Sequence, residues 1–281
     1  MIFEHEIPNG SRLYFGNKAK AKRELEYKAS TYLLENGFEE ITTPLFSYSQ
    51  YQSIDDEKEL ITLKDNTNHT LAIRADSTLD VVRIITKRLG RTTEHKKWFY
   101  IQPVFSYPSN ETYQIGVEWI EYDNVSDVIN LNCNLLSSLN IDAMVQISNI
   151  KIALIISKEF NIDINLFKNG EIGTLFSLNI DWLTKLIEVQ EIKDLENILD
   201  ILPDVLKDEA KKLIDIANKV EYKNITLSPI YYSKMKYYDN IYYRVLNDKT
   251  TIARGGGYKS NGVNSLGFAL YTDNLLKVME K

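Results

Sequence analysis

Cysteine is almost absent from this chain. Cys133 stands alone, so no intramolecular disulfide can form and the fold must hold without covalent staples. That usage fits a reducing, cytoplasmic setting. Histidine is scarce too. His5, His69 and His95 are widely spaced, and with a single thiol they suggest no imidazole or thiolate metal site. A carboxylate site for a hard cation stays open. Long apolar runs are missing, and none approaches the roughly twenty residues needed to span a bilayer. The opening MIFEHEIPNG has no apolar core behind a basic flank, so no signal peptide is expected. Basic charge is not in excess. A net charge of −6 argues against a nucleic-acid surface built on simple charge, though it leaves room for a local basic patch. The glycine spacings of phosphate loops and dinucleotide turns are absent, so Gly255-Gly256-Gly257 is only a weak phosphate signal.

What is present is enough to fold. The chain has 281 residues, 44% of them hydrophobic, which suits one large domain or two ordinary ones. Residues 98–122, WFYIQPVFSYPSNETYQIGVEWIEY, read as two strands joined at Pro108, Ser109 and Asn110. Strand alternation puts Gln114, Gly116 and Glu118 on one face and Ile115, Val117 and Trp119 on the other. An amide, a glycine and a carboxylate backed by an apolar face resemble the floor of a polar pocket. For the hairpin alone, a sheet with one wet face is the plainer reading, and partner residues elsewhere in the chain turn it toward a pocket.

The rest of the chain reads as short strands between amphipathic helices. Residues 1–18 form an irregular arm. Residues 19–36 have helical spacing, with Ala21, Leu25, Ala29, Tyr32 and Leu33 on one stripe and Gly37 as the closing residue. FEEITT, 38–43, is a strand stopped by Pro44. Residues 60–63 and 70–74 pair across a turn at 64–68. A helix then starts at Asp76-Ser77-Thr78, buries Leu79, Val82, Ile85 and Leu89, and ends at Gly90. Asp76 and Thr78 either cap that helix or face a pocket, where the carboxylate would receive an ammonium group. A helix over 126–139 and a strand over 144–147 follow. Residues 151–222 are all-helical, with Pro203 opening a helix. This insertion reads as a lid or a protein-binding module, its charges a solvated face. Strands return at 242–246 and 250–253, across Asn247-Asp248, and at 266–270 before a last helix over 272–279. The pattern predicts an α+β fold with an antiparallel sheet flanked by helices. Residues 1–150 and 223–281 form its main domain.

These segments resemble class II aminoacyl-tRNA synthetases, and histidyl-tRNA synthetases in particular. GFEEITTPLF is similar to motif 1, YQIGVEWIE to the end of motif 2, and SLGFALYTDNLLKVM to motif 3. LAIRADSTLDVVR resembles the segment in which an acidic residue and a threonine hold the amino group of histidine. YYSKMKYYDNIYYRVL and IARGGGYKSNGV resemble the two histidine-specific segments. Six loose motifs in the right order, from about residue 10 to the end, make the resemblance specific. It implies a histidine-like pocket of Asp76, Thr78, Gln114, Glu118 and Tyr258, with Tyr238 or Tyr237 nearby. It also implies a two-fold dimer through motif 1.

The departures carry as much information. Where the family holds ATP phosphates with arginine, this chain has Ser106 in motif 2 and Asn274 in motif 3. The loop between residues 105 and 116 is shorter than the family's. A third arginine falls on about Ser233, beside Lys234, and the arginine and aspartate of the glycine-rich segment become Gly257 and Lys259. Phosphate recognition needs forked donors and positive charge, so adenylate formation loses its stabilisation. The chain stops after motif 3, where a synthetase continues into an anticodon-binding domain. Retained pocket residues and lost ATP chemistry resemble the regulatory-subunit family of short-form ATP phosphoribosyltransferase, which serves the first step of histidine biosynthesis. That resemblance implies a catalytic subunit as partner, free histidine as a feedback ligand, no cofactor, and no tRNA or membrane. A free-standing synthetase paralogue that activates an amino acid or modifies a protein, and a structural relative with a vestigial pocket, remain the alternatives.

Overall fold

The computed structural model describes residues 6–48, 57–233, 238–260 and 262–280. His5, Lys234 and Tyr237 lie outside them. The chain divides into two compact units. The first unit carries a separate three-stranded sheet.

The first unit comprises residues 1–121, 260–263 and 269–281. Its first helix, α1 (Gly16–Glu35), buries Leu25, Ala29 and Leu33 completely, three of the five residues on the expected stripe. Gly37 then takes φ +78°, a left-handed turn that glycine adopts without strain. The strand expected over 38–43 shrinks to β1 (Glu39–Glu40), parallel to β5 (Lys97–Ser106). It stops early because the Thr43 amide donates to the Gln102 side chain at 3.1 Å instead of a neighbouring backbone. The small sheet is built from β2 (Phe46–Ser47), β3 (Thr62–Lys64) and β4 (Thr70–Ile73), all antiparallel. Helix α2 (Thr78–Ile84) continues as a π-helical turn over Ile85–Leu89 before Gly90. β5 pairs antiparallel with β6 (Asn110–Ile120), closing at Ser106↔Asn110. The ends of β11 (Val263–Tyr271) and the helix α10 (Thr272–Met279) complete the unit.

The second unit comprises residues 122–259 and 264–268. It starts with α3 (Val125–Ser138) and β7 (Met144–Asn149). Six helices follow: α4 (Ile150–Phe160), α5 (Ile164–Asn169), α6 (Ile172–Ser177), α7 (Asp181–Glu188), α8 (Ile192–Ile198) and α9 (Asp204–Asn218). Pro203 sits at the start of α9, as expected. These helices share a core with strands: α4 packs on β9 (Tyr238–Asn247) and on α9, and α9 packs on β7. β10 (Thr250–Ser260) pairs antiparallel with β9, and β9 with β7. The pairing is antiparallel as the pattern predicts, except that β8 (Ile225–Leu227) lies parallel to β7 here and β1 parallel to β5 in the first unit.

Candidate functional site

In the first unit a polar network fixes the junction between β4 and α2. The Arg74 side chain is almost fully buried. Its Nε donates to the Pro103 carbonyl at 2.8 Å, and a terminal nitrogen donates to the Thr43 carbonyl at 2.9 Å and Gln102 Oε1 at 3.0 Å. Gln102 Nε2 donates in turn to Thr43 Oγ1 at 3.0 Å and Ser77 Oγ at 2.9 Å. Burial pulls the Arg74 pKa down, opposed by the charge of Asp80. Asp80, unexpectedly buried within α2, pairs with Arg83 at 2.8 Å. A chain of satisfied buried groups of this kind over-determines local geometry. Here it holds Ser77 against β5 and so sets where the flanking Asp76 and Thr78 stand.

Asp76 and Thr78 are buried, each 8% exposed, and Glu118 is fully enclosed at 0%. One Asp76 oxygen accepts the Leu79 amide at 3.1 Å, so the capping role is realised. The phenol of Tyr100 joins the others. It lies 3.5 Å from Thr78 Oγ1 and donates to Glu118 Oε1 at 3.4 Å. Burial raises the Tyr100 pKa well above the usual tyrosine value, and the charges of Glu118 and then Asp76 raise it further. Both carboxylates therefore act on one phenol. Gly116 makes this possible. It is the Cα partner of Tyr100, and a Cβ there would stand 2.0 Å from the ring. Gly116 and Glu118 are buried, so β6 has no wet face at this point.

Gln114 is half-buried on the same face of β6, opposite Gln102. Tyr238 and Tyr258 belong to the second unit. They are cross-strand partners, both buried, with ring centroids 6.4 Å apart and edge-on. The three glycines at 255–257 lie within β10 rather than in a loop. A Cβ on Gly255 would meet the Tyr243 ring at 2.6 Å, so this glycine answers to sheet packing. Sequence reasoning missed Tyr100, Arg74 and Gln102. No local signal marks Tyr100, because what brings its ring over a glycine is the cross-strand register.

Comparisons with known proteins bear on both units. Residues 14–169 match a family model described as Histidyl-tRNA synthetase. An ATP phosphoribosyltransferase regulatory subunit of Wolinella succinogenes is 40% identical over 99% of this chain and 96% of its own length. One from Helicobacter hepaticus is 37% identical over 99% of both chains. Among solved structures, an ATP phosphoribosyltransferase regulatory subunit/histidyl-tRNA synthetase from Bacillus halodurans covers 99% of this chain and 84% of its own, with a TM-score of 0.85 at 19% identity. A histidyl-tRNA synthetase from Nostoc covers 99% and 76%, with a TM-score of 0.80 at 16% identity. At these identities the structural likeness speaks for the fold.

Proposed function

The chain belongs to the family of ATP phosphoribosyltransferase regulatory subunits, and on that premise we propose that it is a non-catalytic, histidine-responsive partner of a separate short-form catalytic subunit in the cytoplasm. The family places it in histidine biosynthesis. The observation that carries the ligand reading is the phenol of Tyr100, which touches Thr78 and the enclosed Glu118 and feels the charge of buried Asp76 as well. Two carboxylates acting on one point favour a ligand that brings positive charge and hydrogen-bond donors, and the ammonium and imidazole N–H of histidine supply both. Thr78 and Tyr100 add hydroxyls that can turn between donor and acceptor. Arg74 directs its hydrogen bonds to neutral acceptors, the Pro103 and Thr43 carbonyls and Gln102. Gln114, on the same face of β6 as Glu118, completes the set we assign to the ligand within the first unit.

Calorimetric titration with histidine tests this reading. Wild type is expected to bind, weakly because the ligand is small. Glu118→Gln keeps the side-chain size and loses about 1.5–3 kcal/mol of a charged hydrogen bond. No binding to wild type at millimolar histidine would make the pocket vestigial. Equal binding by both forms would move the ligand elsewhere.

A further inference from the structure

The second unit encloses a cavity of about 500 Å³. That size is ordinary for a small-molecule site. All of its described lining residues belong to that unit, and no carboxylate is among them. Three cations are: Arg244, Arg254 and Lys168. Arg244 on β9 and Arg254 on β10 are direct Cα partners, so they share one sheet face. Like charges directly opposite across a ladder destabilise it. An anion held between them reverses the sign of that interaction.

The guanidinium of Arg244 is already positioned. Its Nε donates to Gln146 Oε1 and a terminal nitrogen donates to the Tyr231 hydroxyl at 3.3 Å. It also lies over the Tyr231 ring, 4.2 Å from the centroid. Tyr231 stacks in turn on Tyr242, with centroids 5.8 Å apart and planes at 12°. The helical stretch contributes the third cation, because Lys168 sits in the last turn of α5, with its Nζ 5.9 Å from the centroid of Tyr232.

We propose that this cavity binds a phosphorylated small molecule, its phosphate between Arg244, Arg254 and Lys168 and its organic part against the tyrosines. Three cations match a multiply charged phosphate better than a single carboxylate. Guanidinium forks fit phosphate oxygens in bidentate fashion, and lysine adds a compact charge. The volume exceeds what inorganic phosphate fills, and the tyrosine faces give the remainder a flat apolar wall. This reading gives the helices over 150–218 a role, since the end of α5 supplies both wall and charge. It requires neither histidine binding nor the catalytic partner.

The test is calorimetry on the full chain at low salt, with inorganic pyrophosphate as probe and citrate as a carboxylate of comparable charge. Lys168→Glu is the primary variant, because that side chain is exposed and its replacement leaves the fold intact. Arg244→Gln is the second, with thermal melting recorded for both. Pyrophosphate is expected to bind wild type, and citrate more weakly. Lys168→Glu should weaken pyrophosphate by about tenfold or more, the equivalent of one charged hydrogen bond. Arg244→Gln should weaken it at least as much. Absence of pyrophosphate binding at millimolar concentration overturns the proposal. So does unchanged affinity in Lys168→Glu, and citrate binding as tightly as pyrophosphate overturns the choice of phosphate.

Discussion

Tyr100 lays its ring across the space that Gly116 leaves on the facing strand, and two predictions follow from that packing. Gly116→Ala puts a methyl 2.0 Å from the ring, in a part of the sheet with no slack. Overpacking of this kind costs about 1–3 kcal/mol, and urea unfolding is expected to show it. Tyr100→Phe keeps the ring and removes only the hydroxyl. Its contacts at 3.4 and 3.5 Å are long, so the loss should stay near 0.5–1.5 kcal/mol. The same variant gives a pH signature. Burial, then the charges of Glu118 and Asp76, keep the Tyr100 proton on in the folded state at pH values where the unfolded chain releases it. Stability from this group is therefore intact below about pH 10 and falls as pH rises toward the folded pKa. Wild type should lose stability more steeply than Tyr100→Phe between about pH 10 and 11. Parallel slopes in the two proteins would refute the assignment.

At the scale of elements, the left-handed closing turn after α1 is tested against a glycine that needs no special backbone. Gly37 has φ +78° and open space around a hypothetical Cβ, so Gly37→Ala suffers only backbone strain, about 1 kcal/mol. Gly173 lies inside α6, also with open space, so Gly173→Ala should instead stabilise by about 0.4–1 kcal/mol. Opposite signs in thermal melts confirm both placements. The helix and its glycine were legible in the sequence because both depend on local spacing. The β5–β6 hairpin was legible for the same reason, from its alternation and turn residues. The register of that hairpin was not. A turn closed by Tyr107 and Glu111 would set Tyr100 opposite Glu118. The actual closure at Ser106 and Asn110 sets it opposite Gly116, and that shift decides what the phenol reaches. The parallel edges and the Arg74–Gln102 network were hidden too, since long-range partners leave no periodic mark. Asp76, Thr78 and Glu118 could be singled out from the sequence because their motifs are contiguous. Tyr100 stands outside those motifs.

At the scale of the whole molecule, two properties are expected to separate: activation, which should be lost, and assembly. Ser106 and Asn274 offer no guanidinium to an ATP phosphate, so we expect no ATP–pyrophosphate exchange dependent on any amino acid; robust exchange with histidine would contradict the non-catalytic reading. Assembly is expected to persist. Helix α1 buries Leu25, Ala29 and Leu33, yet it also exposes Tyr27 at 70% and Leu34 at 56%. Seven residues is close to two helical turns, so these two side chains share a stripe. Leu13 and Phe15, just before the helix, are 60% and 76% exposed. Apolar groups concentrated in this way mark an interaction surface more often than a solvated one. A second copy of the same chain is the simplest cover, because a two-fold interface uses one patch twice. We therefore expect a homodimer without the catalytic subunit. Light scattering at micromolar concentration should give twice the chain mass, and Tyr27→Lys with Leu34→Lys should reduce it to one. Both positions face solvent, so the double variant should keep its far-ultraviolet spectrum. A monomeric wild type, or a double variant that stays dimeric, would rule out this face of α1 as the interface.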